Sequence, residues 1–184
     1  MKTTKLILSI TIFAVLVSCG TTETAEQKVE VKTPPREECI AKIKELEAEM
    51  FKAKEIDNTM ATTAIQAYTD FVGYFPTDTL SPDFLFKAGE IATAAKKYKQ
   101  ALSHYQNITT NYPDFKHVKE SLYLQGFLYD NFLNDETAAK TIYQEVIAKY
   151  PNTNYAKDAE AAINNLGKTD EQLIEEFKKK NAKK

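Results

Sequence analysis

The sequence predicts an all-α fold, a solenoid of stacked helical hairpins. Three observations predict it. First, the stretches "TAIQAYTDFVGYFP" (63–76), "QALSHYQNITTNYP" (100–113) and "AAKTIYQEVIAKYP" (138–151) share one pattern. Each has a small residue, an aromatic four later and an aromatic–proline pair to close. Second, Pro76, Pro113 and Pro151 are 37 and 38 residues apart, a period that accommodates two helices per repeat. Third, the 184 residues include only five glycines and long Ala/Lys/Glu/Leu stretches, which favour helix over strand.

The elements follow in chain order. Lys2 and Lys5 precede the apolar run "LILSITIFAVLV", 12 residues long. A membrane span needs about 20, so this run has the length of a secretory signal core. It ends in "LVSC", Leu16 to Cys19, followed by Gly20. This resembles a bacterial lipobox. The resemblance implies cleavage of 1–18, acylation of Cys19 and a firm membrane anchor. Gly20 in place of Asp implies the outer membrane, on its periplasmic face. Only Glu23 and Glu26 follow closely, a weak version of a surface-export signal, so the cell surface is the alternative.

Residues 19–38 include Pro34 and Pro35 and few apolar side chains, the composition of a tether. Its reach as a flexible chain is about 25 Å. A repeat domain is expected over 39–168, with a capping helix and basic tail over 169–184. Cys39, Ile43, Leu46 and Met50 form a helical stripe. Asp57, Asn58 and Thr59 interrupt it and offer helix-capping side chains. The next helix runs to Phe75–Pro76. Ser81 is the expected N-cap of a helix with Pro82 at its first position, reaching about Ala95. A turn at Lys96 and Lys97 leads to a helix ending at Tyr112. Another helix spans about 116–133, turns at Asn134 and Asp135, and is followed by one ending at Tyr150. A seventh helix begins near Asn154 and stops at Leu166, with Gly167 beyond it. Thr169 and Gln172 are spaced as a capping box for the last helix, whose apolar contacts would be Ile174 and Phe177.

The repeat resembles the tetratricopeptide repeat. Leu85, Ala88, Gly89, Ala92, Ala101, Tyr105 and Pro113 stand at its signature positions. So do Leu122, Gln125, Gly126, Tyr129, Ala139, Tyr143 and Pro151 in the next copy, and Ala64, Tyr68 and Pro76 in the first. Leucine replaces the family's tryptophan, and the period exceeds the usual 34. Glycine at 89 and 126 permits close helix approach, with Ala101 and Ala139 opposite. Longer repeats ending in Tyr-Pro on a small lipoprotein resemble two envelope relatives. One is the assembly-machinery lipoprotein BamD. The other is the C-terminal repeat region of YbgF, linked to the Tol–Pal system.

Composition narrows the chemistry. A formal charge of −2, with no basic stripe among aromatics, argues against nucleic acid. His104 and His117 have no metal-ligand spacing, and His104, beside Tyr105, is expected on the solvent side. No nucleophile elbow, phosphate loop or dinucleotide fingerprint occurs, so neither enzyme activity nor a metal or cofactor is expected. Cys39 reads as a small apolar residue on a helix face. The resemblance instead implies a protein-binding groove. Carried over by the glycine register, its positions are Phe86, Glu90 and Thr93, then Tyr123, Phe127, Asp130 and Asn131. The expected partner is an envelope protein of barrel-assembly or Tol–Pal type. The alternative is a structural homo-oligomer built through the helix over 39–50.

Overall fold

The computed structural model describes residues 33–182. The expected signal segment 1–18, the lipidation candidate Cys19 and residues 20–32 of the expected tether lie outside the described residues. Within them the helices are α1 Arg36–Lys52, α2 Asn58–Tyr74, α3 Ser81–Ala94, α4 Tyr98–Asn111, α5 Val118–Asn131, α6 Glu136–Lys149, α7 Asn154–Asn165 and α8 Asp170–Asn181. No strand occurs among the described residues. From α1 to α7 each helix packs on the next, and α5 also touches α7. Short connections force neighbours to run antiparallel. This is the stacked-hairpin solenoid that the repeat predicts.

The stops are set by proline. Phe75, Tyr112 and Tyr150 are the C-cap residues of α2, α4 and α6, with φ/ψ of −130/60, −133/59 and −128/51. A following proline bars its predecessor from the α region, so three separate turns adopt one geometry. Tyr112 reinforces the repeat by donating its hydroxyl to the Pro76 carbonyl at 2.7 Å. The starts use short polar side chains. Asp57, Asp135 and Thr153 accept from the backbone N–H of Met60, Ala138 and Ala156. Thr169 and Gln172 form the expected capping box.

Ser81 departs from expectation. It is the first residue inside α3 rather than its cap, and it is fully buried. Its hydroxyl donates to the Phe75 carbonyl at 2.5 Å, tying the end of α2 to the start of α3. Asp78 orders this turn instead, accepting from the Leu80 N–H and from Arg36. Arg36 shows a second departure. Helix α1 begins there, so residues 36–38 belong to the fold rather than to the tether.

Two apolar clusters make the core. One runs from Ile40 and Ile43 of α1 through Phe71, Leu85, Tyr105 and Ile108 to Leu128. The other joins Leu122, Ala139, Tyr143, Val146 and Ala159. Both lie within 33–184, which forms one compact unit. The stripe on α1 is spent inside this unit: Ile40 and Ile43 are buried, and Cys39 and Met50 pack partly against the first cluster. Glu47 completes the seam by accepting from Tyr68 at 2.9 Å and Lys87 at 2.6 Å.

The signature glycines have a sharper reason than close helix approach. A Cβ on Gly89 would stand 2.6 Å from the Tyr105 ring, and one on Gly126 would stand 2.7 Å from the Tyr143 ring. Each glycine is the floor on which a tyrosine of the partner helix lies.

His104 is a correction. It is buried, at 8% exposure, and its Nε2 has no hydrogen-bond partner. Helix α4 lies between α3 and α5 and buries Ala101, Leu102, His104, Tyr105 and Ile108, an arc wider than one stripe. Ile174 of the final helix is the other correction. Ile174 is 53% exposed and supplies no core contact. The Phe177 side chain lies outside the described residues.

Candidate functional site

Helix α5 carries Tyr123, Phe127, Asp130 and Asn131 at helical spacing, which places them on one face. The structure brings all four to a cleft of about 500 Å³. The facing wall is α7, through Asp158, Ala161, Ala162 and Asn165. Gly167 and Lys168, which precede α8, and Leu173 of α8 close the rim. Tyr143 is almost wholly buried at the inner end, its ring seated over Gly126. The space exists because α7 presents alanines where the other wall presents aromatic rings.

The rings of the aromatic wall are coupled to their neighbours. The Tyr123 ring lies 5.7 Å from Tyr143 and 5.8 Å from Tyr155. Phe127 meets Phe132 edge-on at 5.7 Å, and Phe132 stacks on Tyr98 at 4.2 Å. Polar groups sit between the rings. The Tyr143 hydroxyl donates to Asp130 Oδ2 at 3.3 Å, and Asn131 Nδ2 donates to the Phe127 carbonyl at 3.0 Å. Burial raises the Asp130 pKa from its ordinary value, the Tyr143 bond opposes this, and the Glu136 charge adds to it. Burial likewise raises the Tyr123 phenol, aided by Asp158 and Asp130. The cleft therefore combines one aromatic wall with a partly dehydrated carboxylate, Asp130, and an exposed one, Asp158, a setting that favours a cationic group on an apolar stem.

The three predicted residues of α3 do not line this cleft. Phe86 is buried, at 8% exposure, and is a correction to the groove reading. Its ring stacks on His117 at 4.6 Å and lies 5.9 Å from Tyr105 and 6.3 Å from Phe115. The following hairpin covers it. Tyr123 repeats this pairing one copy later, where Tyr155 takes the place of His117. Glu90 is exposed overall, yet neighbouring protein atoms exclude part of its carboxyl's water. That desolvation, then the Glu120 charge, raises its pKa, while His117 and Lys87 lower it. Thr93 donates to the Gly89 carbonyl at 2.8 Å.

Sequence reasoning missed the α7 wall. The signal was present: the 38-residue step from Pro113 to Pro151, added to Tyr123, Phe127 and Asp130, gives Ala161, Asn165 and Lys168. All three line the cleft.

Comparison with known proteins bears on the hairpins. The tetratricopeptide repeat model matches residues 83–114 and 120–153. The α3–α4 and α5–α6 hairpins are therefore tetratricopeptide repeats. None of the curated proteins matches. Among solved structures, a tetratricopeptide repeat protein from Parabacteroides merdae is similar at 17% identity and a TM-score of 0.43. The match covers 70% of this chain and 53% of that one, so this chain spans about half of its length.

Proposed function

We propose that this chain is a non-catalytic protein-binding scaffold, lipid-anchored through Cys19 on the periplasmic face of the outer membrane. In this reading the α5–α7 cleft takes a segment of an envelope protein of barrel-assembly or Tol–Pal type. The observation that carries the binding role is the convergence of Tyr123, Phe127, Asp130 and Asn131 with the α7 wall in one cleft. The rigid aromatic wall of α5 supplies contact area at low entropic cost, and a pocket of this kind anchors one or two side chains of a docked helix. Asp130 and Asp158 favour a lysine or arginine on that segment, because Lys168 at the rim is already paired with Glu176. Tetratricopeptide repeats serve as protein-interaction scaffolds, which supports the same role. The anchor and its membrane rest on the lipobox resemblance of "LVSC" with Gly20.

A photoreactive residue at position 127, crosslinked in cells and followed by mass spectrometry of the membrane fraction, tests the binding role. Crosslinks to a barrel-assembly or Tol–Pal component are expected. Crosslinks that form only from a surface outside the cleft, such as position 44 on α1, would sink it. A clickable fatty acid tests the anchor separately: label should appear on the chain and vanish in Cys19→Ser. Label that persists, or never appears, removes that part of the reading.

A further inference from the structure

The hairpins turn on two opposite edges. One edge carries the turns within hairpins, at 53–57, 95–97 and 132–135; the other carries the turns between them, at 75–80, 112–117 and 150–153. On the second edge Arg36 pairs with Asp78 at 2.5 Å and Lys116 with Asp83 at 2.8 Å, and the Lys119 ammonium lies 5.8 Å from the Tyr150 ring centre. The first edge differs. Lys52, Lys54, Lys96, Lys97 and Lys99 form no ion pair among the described residues.

Apolar side chains stand among these lysines. Phe51 is 92% exposed, Ile56 47% and Phe132 37%. Phe132 stacks nearly parallel on Tyr98 at 4.2 Å, which bridges the second and third turns. A shallow depression of about 430 Å³ between those turns is lined by Lys96, Lys97, Tyr98, Lys99, Gln100 and Leu133. The edge also holds Glu55, Asp57, Asp135 and Glu136. Asp57 and Asp135 accept from the first turns of α2 and α6, where the helix dipoles offset their charge. Five lysines then outnumber four carboxylates, two of which are turned to helix N-termini.

We propose that this edge is an interfacial docking surface for an anionic lipid bilayer. Phe51, Ile56 and Phe132 stand out at or beside the turn tips, and such groups are accommodated by a deformable phase. Aromatic rings settle at headgroup depth, and lysine stems lie along apolar surface with their ammonium groups among lipid phosphates. The charge complementarity selects anionic over zwitterionic headgroups. This surface shares no lining residue with the α5–α7 cleft, which it meets where Phe132 touches Phe127, and it does not depend on acylation of Cys19.

The test uses residues 33–184, which hold both core clusters. The sequence has no tryptophan, so Phe51→Trp installs a single reporter at the edge. Tyr74→Trp, at the end of α2 on the opposite edge, is the control. Vesicles of phosphatidylcholine with phosphatidylglycerol should blue-shift the emission at 51 and leave 74 unchanged. Phosphatidylcholine alone should give little shift at either. Sedimentation should show Lys96→Gln with Lys97→Gln weakening anionic-vesicle binding about 25-fold, roughly fivefold per charge. Phe51→Ser should weaken it about tenfold. Thermal melts of these exposed variants verify that they fold. Equal binding to both vesicle types, no shift at 51, or an equal shift at 74 overturns the proposal. A concentration-dependent shift at 51 without vesicles would assign the edge to a second copy and overturn it as well.

Discussion

Replacing Gly89 with alanine separates two physical effects that usually point the same way. In a helix, glycine to alanine gains about 1 kcal/mol from propensity. At Gly89 the added Cβ would lie 2.6 and 2.7 Å from two carbons of the Tyr105 ring, whereas ordinary contact begins at 3.4 Å. Tyr105 is 2% exposed and its ring has Phe86 at 5.9 Å, so it has no free space to retreat into. Overpacking of this kind costs roughly 1–3 kcal/mol. With the overlap at the upper end of that range, Gly89→Ala should lose about 1–2 kcal/mol net. Gly73 is the internal control. It lies exposed near the end of α2, and an added Cβ meets nothing within 4 Å. Gly73→Ala should gain about 0.5 kcal/mol. The two variants should therefore differ by about 2 kcal/mol, or roughly 4–8 °C in Tm. Urea unfolding with unchanged slopes gives the comparison directly. In a Tyr105→Leu background the cost of Gly89→Ala should shrink, because the ring it strikes is gone. A Gly89→Ala midpoint at or above that of the parent would refute the ring-seat account of the signature glycine.

Three further outcomes are expected. Burial lowers the His104 pKa, so the folded state resists a proton that the unfolded state accepts below about pH 6.5. Stability should fall as pH drops from 6.5 toward the depressed folded value. His104→Leu should flatten that slope in urea titrations, and an unchanged slope would clear His104 of the role. Ser81→Ala removes the buried bond to the Phe75 carbonyl and should cost about 1 kcal/mol by the same unfolding assay. Lys96 holds φ of 60, a region that disfavours any residue with a Cβ. Lys96→Gly should raise stability by about 1 kcal/mol, read as a higher midpoint.

Helix order, the turn residues and the repeat were legible because they depend on neighbours in sequence. A proline restricts the residue before it, and an aspartate caps the helix that follows it, whatever surrounds them. Burial was legible only where a helix has one buried face. The α1 stripe was readable for that reason, although Ile40 is buried more fully than Cys39. Helix α4 has neighbours on two sides, so His104 falls inside an arc that a single stripe does not describe. Phe86 failed for a related reason. Its register matches Tyr123, but what covers it is His117 from the next hairpin, and register alone does not show a partner ring.

The cleft lies where the repeat loses its rule. In α3 and α5 a glycine seats the tyrosine of the following helix, and the ring fills the space between them. Helix α7 has no glycine and α8 has no tyrosine, so that closure is missing from the last hairpin. Alanines at 161 and 162 occupy its wall, and Leu173 reaches only the rim. Ile174 on the same helix stays in solvent. The Tyr143 ring is held from below by Gly126, while above it the wall opens toward Asp130 and Asp158. A further hairpin obeying the rule would bring a ring into this space and bury the aromatic face of α5. Departure from the repeat pattern at 154–181 is thus the sequence feature that creates the cleft proposed for binding, and in a repeat protein the place to look for function is where the packing residues stop recurring.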